Sequence, residues 1–172
     1  MYKLFLCGLL CLDACSLNTP VCDNNTDAII ENICVHKNGL EVSNKDFRKA
    51  INIIDSIWSE KFDVDIGEMS NKYIDPDLNT SVEFMEQING GQYGLTENCS
   101  KVSLKYEPCI ANTALGHEML HILGCSYGMN FGHNNPELFL TEKDLKDSLE
   151  NVINIVLCQS FCESSCEWFR IK

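Results

Sequence analysis

The chain has 172 residues, 45% of them hydrophobic, and a formal net charge of −12. This is the length of one domain, and the apolar share is enough to build a packed core. The charge argues against nucleic acid or anionic lipid headgroups as partners, because both present phosphates that this surface would repel.

The N-terminus reads MYKLFLCGLLCLDACS, with one Lys ahead of an apolar run from Leu4 to Leu12. The run is too short to cross a bilayer and fits the core of a secretory signal. Its end, Leu12-Asp13-Ala14-Cys15, resembles a bacterial lipobox, in which the Cys is lipidated and becomes the first residue; Asp13 departs from that pattern. Ordinary cleavage near Ala14, giving a soluble secreted form, is the alternative. The expected organisation is a signal peptide over residues 1–14, a tether over 15–30 and one domain over 31–172, placed outside the cytoplasm, either lipid-anchored through Cys15 or secreted.

The sequence contains 11 cysteines. Cys7 and Cys11 leave with the signal and Cys15 takes the lipid, so Cys22, Cys34, Cys99, Cys109, Cys125, Cys158, Cys162 and Cys166 remain, an even set that reads as disulfides in an oxidising compartment. Proximity in sequence suggests Cys22–Cys34 and Cys99–Cys109. Cys158, Cys162 and Cys166 are spaced by four and would line one helix face; bridges tying that helix to the body are expected there rather than a thiolate metal site.

Along the domain, NICVHKNGLEV reads as a hairpin around Asn38-Gly39, with His36 as an ordinary strand or surface residue. Ser43 opens a helix, with Asp46 close to a capping-box position, and Phe47, Ala50, Ile51, Ile54, Ile57 and Trp58 mark its buried face. FDVDI alternates like a strand, NKYIDPDLNT reads as a loop, and SVEFME as a short strand. After the Gly90-Gly91 break come QYGLTE and KVSLKY, the latter a half-exposed strand with Val102, Leu104 and Tyr106 on one side. A helix is expected from about Thr113 to Leu123 with Gly124 as its stop, followed by a long loop over 124–140. Thr141 with Asp144 opens the last helix, whose face is Leu145, Leu149, Val152, Ile153, Val156 and Leu157.

The chemistry is concentrated in ALGHEMLHILGCSYGMNFGHNN, which contains H-E-x-x-H as His117, Glu118 and His121. Residues four apart on a helix share a face, so both imidazoles can address one ion. Glu118, one step round, can act on a water held by that ion without binding the metal itself. Two histidines and a glutamate on a largely apolar helix are costly to bury unless something binds them. The expected ion is Zn2+, which in catalytic sites takes three protein ligands and keeps one position open. His133 is the expected third ligand, with Tyr127 or a glutamate further on, Glu137 or Glu142, as alternatives.

H-E-M-L-H-I-L-G, with Gly124 after the second His, resembles the extended zinc motif of metzincin peptidases, H-E-x-x-H-x-x-G-x-x-H. The run GHNNPELFLTEKDLKDSL resembles the matrixin-like segment that carries the third His into a C-terminal helix. The chain departs twice: Tyr127 stands at the third His, with His133 six residues further on, and no Met follows His133 to form the turn beneath the metal, a place left to Leu138 or Phe139. The resemblance implies an α+β fold: a single small metzincin-like domain with a twisted mixed sheet, a long N-terminal helix, a zinc-binding active-site helix and a C-terminal helix. It also implies an edge strand near QYGLTE beside the cleft, where a peptide or protein substrate can pair. The implied activity is a zinc endopeptidase with His117, His121 and His133 as ligands and Glu118 as general base. The substrate pocket beyond the metal is expected between the loop after His121 and residues 134–142. A binding module that keeps the site without catalysis, a gluzincin-like hydrolase and a hydrolase of non-peptide amides are the alternatives. Cys22 is expected in a disulfide rather than as a latency switch over the metal.

Overall fold

The computed structural model describes residues 22–63, 74–75, 78–130, 132–139 and 148–162. The expected signal, Cys15, residues 64–66 of the FDVDI strand, the Thr141–Asp144 helix start, Glu142 and Cys166 lie outside these residues.

The described chain opens with β1 (Ala28–Ile30) and β2 (Ile33–His36), an antiparallel hairpin. Its turn is Glu31-Asn32, both with positive φ (48° and 64°), the backbone geometry whose twist matches a two-residue hairpin. The hairpin therefore falls earlier than the expected Asn38-Gly39 and takes up the end of the stretch read as a tether. Asn38 and Gly39 do form a turn, with φ of 52° and 77°, and the Leu40 N–H donates to the Lys37 carbonyl at 2.9 Å. No strand follows, because the other edge of β2 is already taken by β5 (Ser81–Met85). The Asn38 side chain instead donates to the Phe84 carbonyl and to Glu83 Oε1, both at 3.0 Å, pinning the turn to β5.

Helix α1 (Asn44–Phe62) begins as expected: the Ser43 hydroxyl accepts the Asp46 N–H at 3.2 Å. Phe47, Ala50, Ile51, Ile54 and Trp58 are fully buried, while Ile57 is only partly so. Phe62 is the helix's last residue and Asp63 ends it in the left-handed conformation. Part of the expected loop is ordered as a small hairpin of β3 (Ile74–Asp75) and β4 (Leu78–Asn79). Then come β5, β6 (Gly94–Glu97) and β7 (Lys101–Lys105).

The main sheet is five-stranded and mixed, in the order β1-β2-β5-β7-β6. β2, β5 and β7 are mutually parallel; β1 and β6 are antiparallel edges. β7 is consequently an interior strand, and Ser103 is buried along with Val102 and Leu104, so it is not the half-exposed strand that its alternation suggested. Helix α2 (Leu115–Ser126) packs on β6 and β7, and α3 (Leu149–Phe161) packs on both α1 and α2. On α3 the buried face is Leu149, Ile153 and Leu157; Val152 points out, 39% exposed, because it lies on the far side of that stripe. Among the described residues the result is an α+β arrangement of three α-helices, a five-stranded central sheet and a separate two-stranded one.

Between described residues, three disulfides fasten it: Cys22–Cys34, Cys99–Cys125 and Cys109–Cys162. The expected Cys99–Cys109 pair is not formed, because β7 carries Cys109 away from the β6–β7 turn, where Cys99 faces the last turn of α2 instead. Cys109–Cys162 ties the C-terminal end of α3 to the short 3-10 turn Ile110–Asn112, and Cys158 is disulfide-bonded as well. Such cross-links place the domain in an oxidising, extracytoplasmic setting. Among the described residues, no helix is long and apolar enough to cross a membrane.

Candidate metal centre

The helix carrying H-E-x-x-H is α2, and it runs further than Gly124. Gly124 is helical and buried. The stop is Gly128, with φ of 66°: its N–H bonds the Cys125 carbonyl at 2.9 Å and the Met129 N–H bonds Gly124 O at 2.8 Å, the paired bonds of a left-handed helix end. The reversal that the sequence placed at Gly124 is therefore delayed by about one helical turn.

Beyond Gly128 the loop is held by its own asparagines. The Asn135 side chain donates to the Asn130 carbonyl at 2.7 Å, and Asn130 Oδ1 accepts the Gly132 N–H at 3.1 Å. These bonds bring His133 back over α2. The Nε2 atoms of His117 and His133 lie 3.0 Å apart, and that of His121 lies 3.2 Å from each of them. Tyr127 goes elsewhere: its ring packs 5.6 Å from Trp58 at the margin of the core. Glu137 is not in the metal-capable cluster, which is made of His117, His121 and His133. His36 sits at the end of β2 near Asp23 and Asn25, as an ordinary strand residue.

Under the three imidazoles lies Phe139, almost fully buried. Its ring stacks on His121 with centroids 4.4 Å apart, and lies 5.1 Å from His117 and 5.3 Å from His133. A short turn from Asn135, whose carbonyl accepts the Phe139 N–H at 3.0 Å, sets it there. Of the two apolar residues that sequence put forward for this floor, Phe139 touches the histidines.

Glu118 is buried beside the triad, and β6 holds it. The Thr96 hydroxyl donates to Glu118 Oε2 at 2.7 Å. Two residues back on the same face of β6, Gly94 leaves room for the carboxylate. A Cβ there would stand 2.5 Å from Glu118 Oε1 and 2.7 Å from the Ala114 Cβ. Burial pushes the Glu118 carboxyl above the ordinary carboxylate range, against the pull of the Thr96 hydroxyl and of His117 and His133. Gly94→Ala should therefore force β6 and α2 apart and destabilise the fold by about 1–3 kcal/mol. A urea titration checks this: an unchanged midpoint would show that the contact is not as tight as drawn.

On the other side, His117 Nδ1 lies 2.9 Å from Glu150 Oε1, in the first turn of α3. Burial works against the charged imidazole, but the hydrogen bond and charge of Glu150, with Glu118, outweigh it and raise the His117 pKa. Sequence reading missed Glu150, Thr96 and Gly94, because nothing local marks residues brought in from other elements.

The three histidines, Glu118 and Glu150 open onto one cleft of about 780 Å³, walled also by residues 92–96 leading into β6, by residues 111–114 and by Asn154. Of the expected lining, Gly132 and His133 of the loop after His121 take part and residues 134–139 do not, while residues 140–142 lie outside the described residues.

The chain matches no known protein family, and comparison with characterised proteins and with solved structures finds no significant relative.

The donor set itself decides what the cluster can hold. Three Nε2 atoms at mutual hydrogen-bond distance cannot all satisfy one another, since a neutral imidazole presents one lone pair per ring. With the protons on Nδ1, three lone pairs converge, an arrangement that a cation stabilises and little else does. A tetrahedral ion with nitrogen ligands at about 2.0–2.1 Å would separate them by about 3.3–3.4 Å. The observed spacing is close to that, so the triad could hold a metal ion.

Proposed function

We propose that the chain is a zinc-dependent endopeptidase of metzincin type, with His117, His121 and His133 as zinc ligands and Glu118 as general base. The observation that carries this reading is the buried carboxylate of Glu118 set beside three convergent imidazoles in one cleft. A purely structural metal site has no use for such a carboxylate, and burying it costs stability. An all-nitrogen, closely spaced donor set suits Zn2+ among biological cations.

Bound zinc supplies a Lewis acid that polarises a carbonyl and brings the pKa of water toward about 7. The chain's own residues do the rest. Glu118 takes a proton from the attacking water and delivers it to the leaving amine. The Thr96 hydroxyl fixes the orientation of that carboxylate. Strand β6, paired on one side with β7 and forming one wall of the cleft, offers its outer edge to an extended peptide, whose backbone can add to the sheet.

The metzincin label draws on three further features: the mixed sheet with its antiparallel edge at the cleft, the two-histidine helix followed by a third histidine from a loop, and an apolar floor beneath the triad. Here the floor is Phe139 in place of a methionine. Export and a lipid anchor at Cys15 complete the reading.

Removal of metal is the direct test. Dialysis against a strong chelator should abolish cleavage of an unstructured protein substrate, and stoichiometric Zn2+ should restore it. Cleavage that survives complete metal removal sinks the proposal.

A further inference from the structure

We propose that Glu150 is a positioning residue of the metal centre: its carboxylate accepts the Nδ1–H of His117, fixes the tautomer that presents Nε2 as a lone-pair donor, and thereby sets the affinity of the triad for its cation. This rests on the reading of the three histidines as a metal site.

The two nitrogens of an imidazole are complementary. A proton held on one leaves the other as the ligand, and a carboxylate partner also raises the basicity of the ligating nitrogen. Glu150 Oε1 lies 2.9 Å from His117 Nδ1, while His117 Nε2 faces His121 and His133. The carboxylate is thus on the far side of the ring from the other two histidines. It is also enclosed: the Glu150 side chain is 11% exposed, unlike a surface ion pair.

Several independent features hold that carboxylate in place. Ser148 caps α3 by accepting the Asn151 N–H at 3.3 Å. The N–H groups of Leu149 and Glu150 donate to the carbonyls of Glu137 and Leu138 at 3.0 and 2.9 Å. The first turn of α3 is therefore bonded to the segment that carries Phe139. Glycine at 116 lets α3 lie against α2, since a Cβ there would stand 2.8 Å from Ile153 and 2.9 Å from Asn154 Oδ1. At its other end α3 is anchored by Cys109–Cys162. The first turn of a helix also favours an acidic residue, so the position suits a carboxylate.

The experiment uses the full chain, stripped of metal, with Zn2+ affinity read by competition against a chromophoric chelator at fixed pH. Glu150→Ala should weaken Zn2+ binding by about 10–100-fold. Glu150→Gln, which keeps an acceptor and loses the charge, should fall between that variant and wild type and remains informative if the alanine variant does not fold. Nitrogen NMR of the metal-free protein should show the Nδ1–H form of His117 in wild type and a shift toward Nε2–H in Glu150→Ala. Lys49→Ala, which loosens the far end of α3 by removing the bond from Lys49 to the Ser160 carbonyl, should leave the affinity within about 2-fold and the tautomer unchanged. Wild-type affinity in both Glu150 variants overturns the proposal, as does an equal loss in Lys49→Ala. A wild-type chain that takes up no Zn2+ overturns the metal-site reading on which it rests.

Discussion

Glu118→Gln should lower peptide hydrolysis by about 10²–10⁴-fold while leaving bound zinc at the wild-type level. The substitution changes little in shape, and the amide oxygen can still accept the Thr96 hydroxyl, so the contact between α2 and β6 survives. What disappears is the basic oxygen that takes a proton from water. The three imidazoles are untouched, so metal content, read by elemental analysis, separates loss of the base from loss of the site. Because a kcat effect is expected, single-turnover cleavage is the better measure. Full activity in the glutamine variant would remove Glu118 from the chemistry and, with it, the argument that its burial serves a reaction.

His133→Ala should abolish the zinc-dependent part of the protein's stability. At a zinc concentration 100 times Kd, a site that binds only the folded state contributes about 2.7 kcal/mol. Loss of a direct ligand should weaken binding by more than the 10–100-fold typical of partners one layer out. Without zinc the variant should melt within about 0.5 kcal/mol of wild type, because His133 is exposed on its loop and lies outside the core. The pair of melts, with and without Zn2+, reads both. A variant that still melts higher with zinc, by the wild-type margin, would show that the third donor is another residue. The prediction is specific to His133, since His117 and His121 lie on a packed helix, where removal also disturbs neighbours.

What sequence made legible followed the range of the interactions. Ser43 and the spacing of Phe47, Ala50, Ile51, Ile54 and Trp58 define α1, because a cap and a stripe are local properties. The two helical histidines were equally plain. His133 was reachable from the donor count a metal requires and from the resemblance of the residues around it. The path of the chain was not: Gly124 has the right spacing for a turn, yet a helix end goes where its carbonyls find partners, and Gly128 provides them. Asn38-Gly39 is the stronger hairpin signal by composition, but β2 had only one free edge and Glu31-Asn32 had already used it. Gly94, Thr96 and Glu150 carry no signature, since their meaning comes from the residues that face them across the fold.

The Cys99–Cys125 bridge joins the end of the edge hairpin to the last turn of the histidine helix. Closing a segment of 26 residues contributes about 3–4 kcal/mol when the cross-link is unstrained. Gly94 and Thr96 of that hairpin are the residues that seat Glu118. Oxidation therefore braces the jaw against which the carboxylate rests. A newly made chain in a thiol-rich cytosol would lack that brace, so full mechanical definition of the groove is postponed until the polypeptide has left the cell's reducing interior.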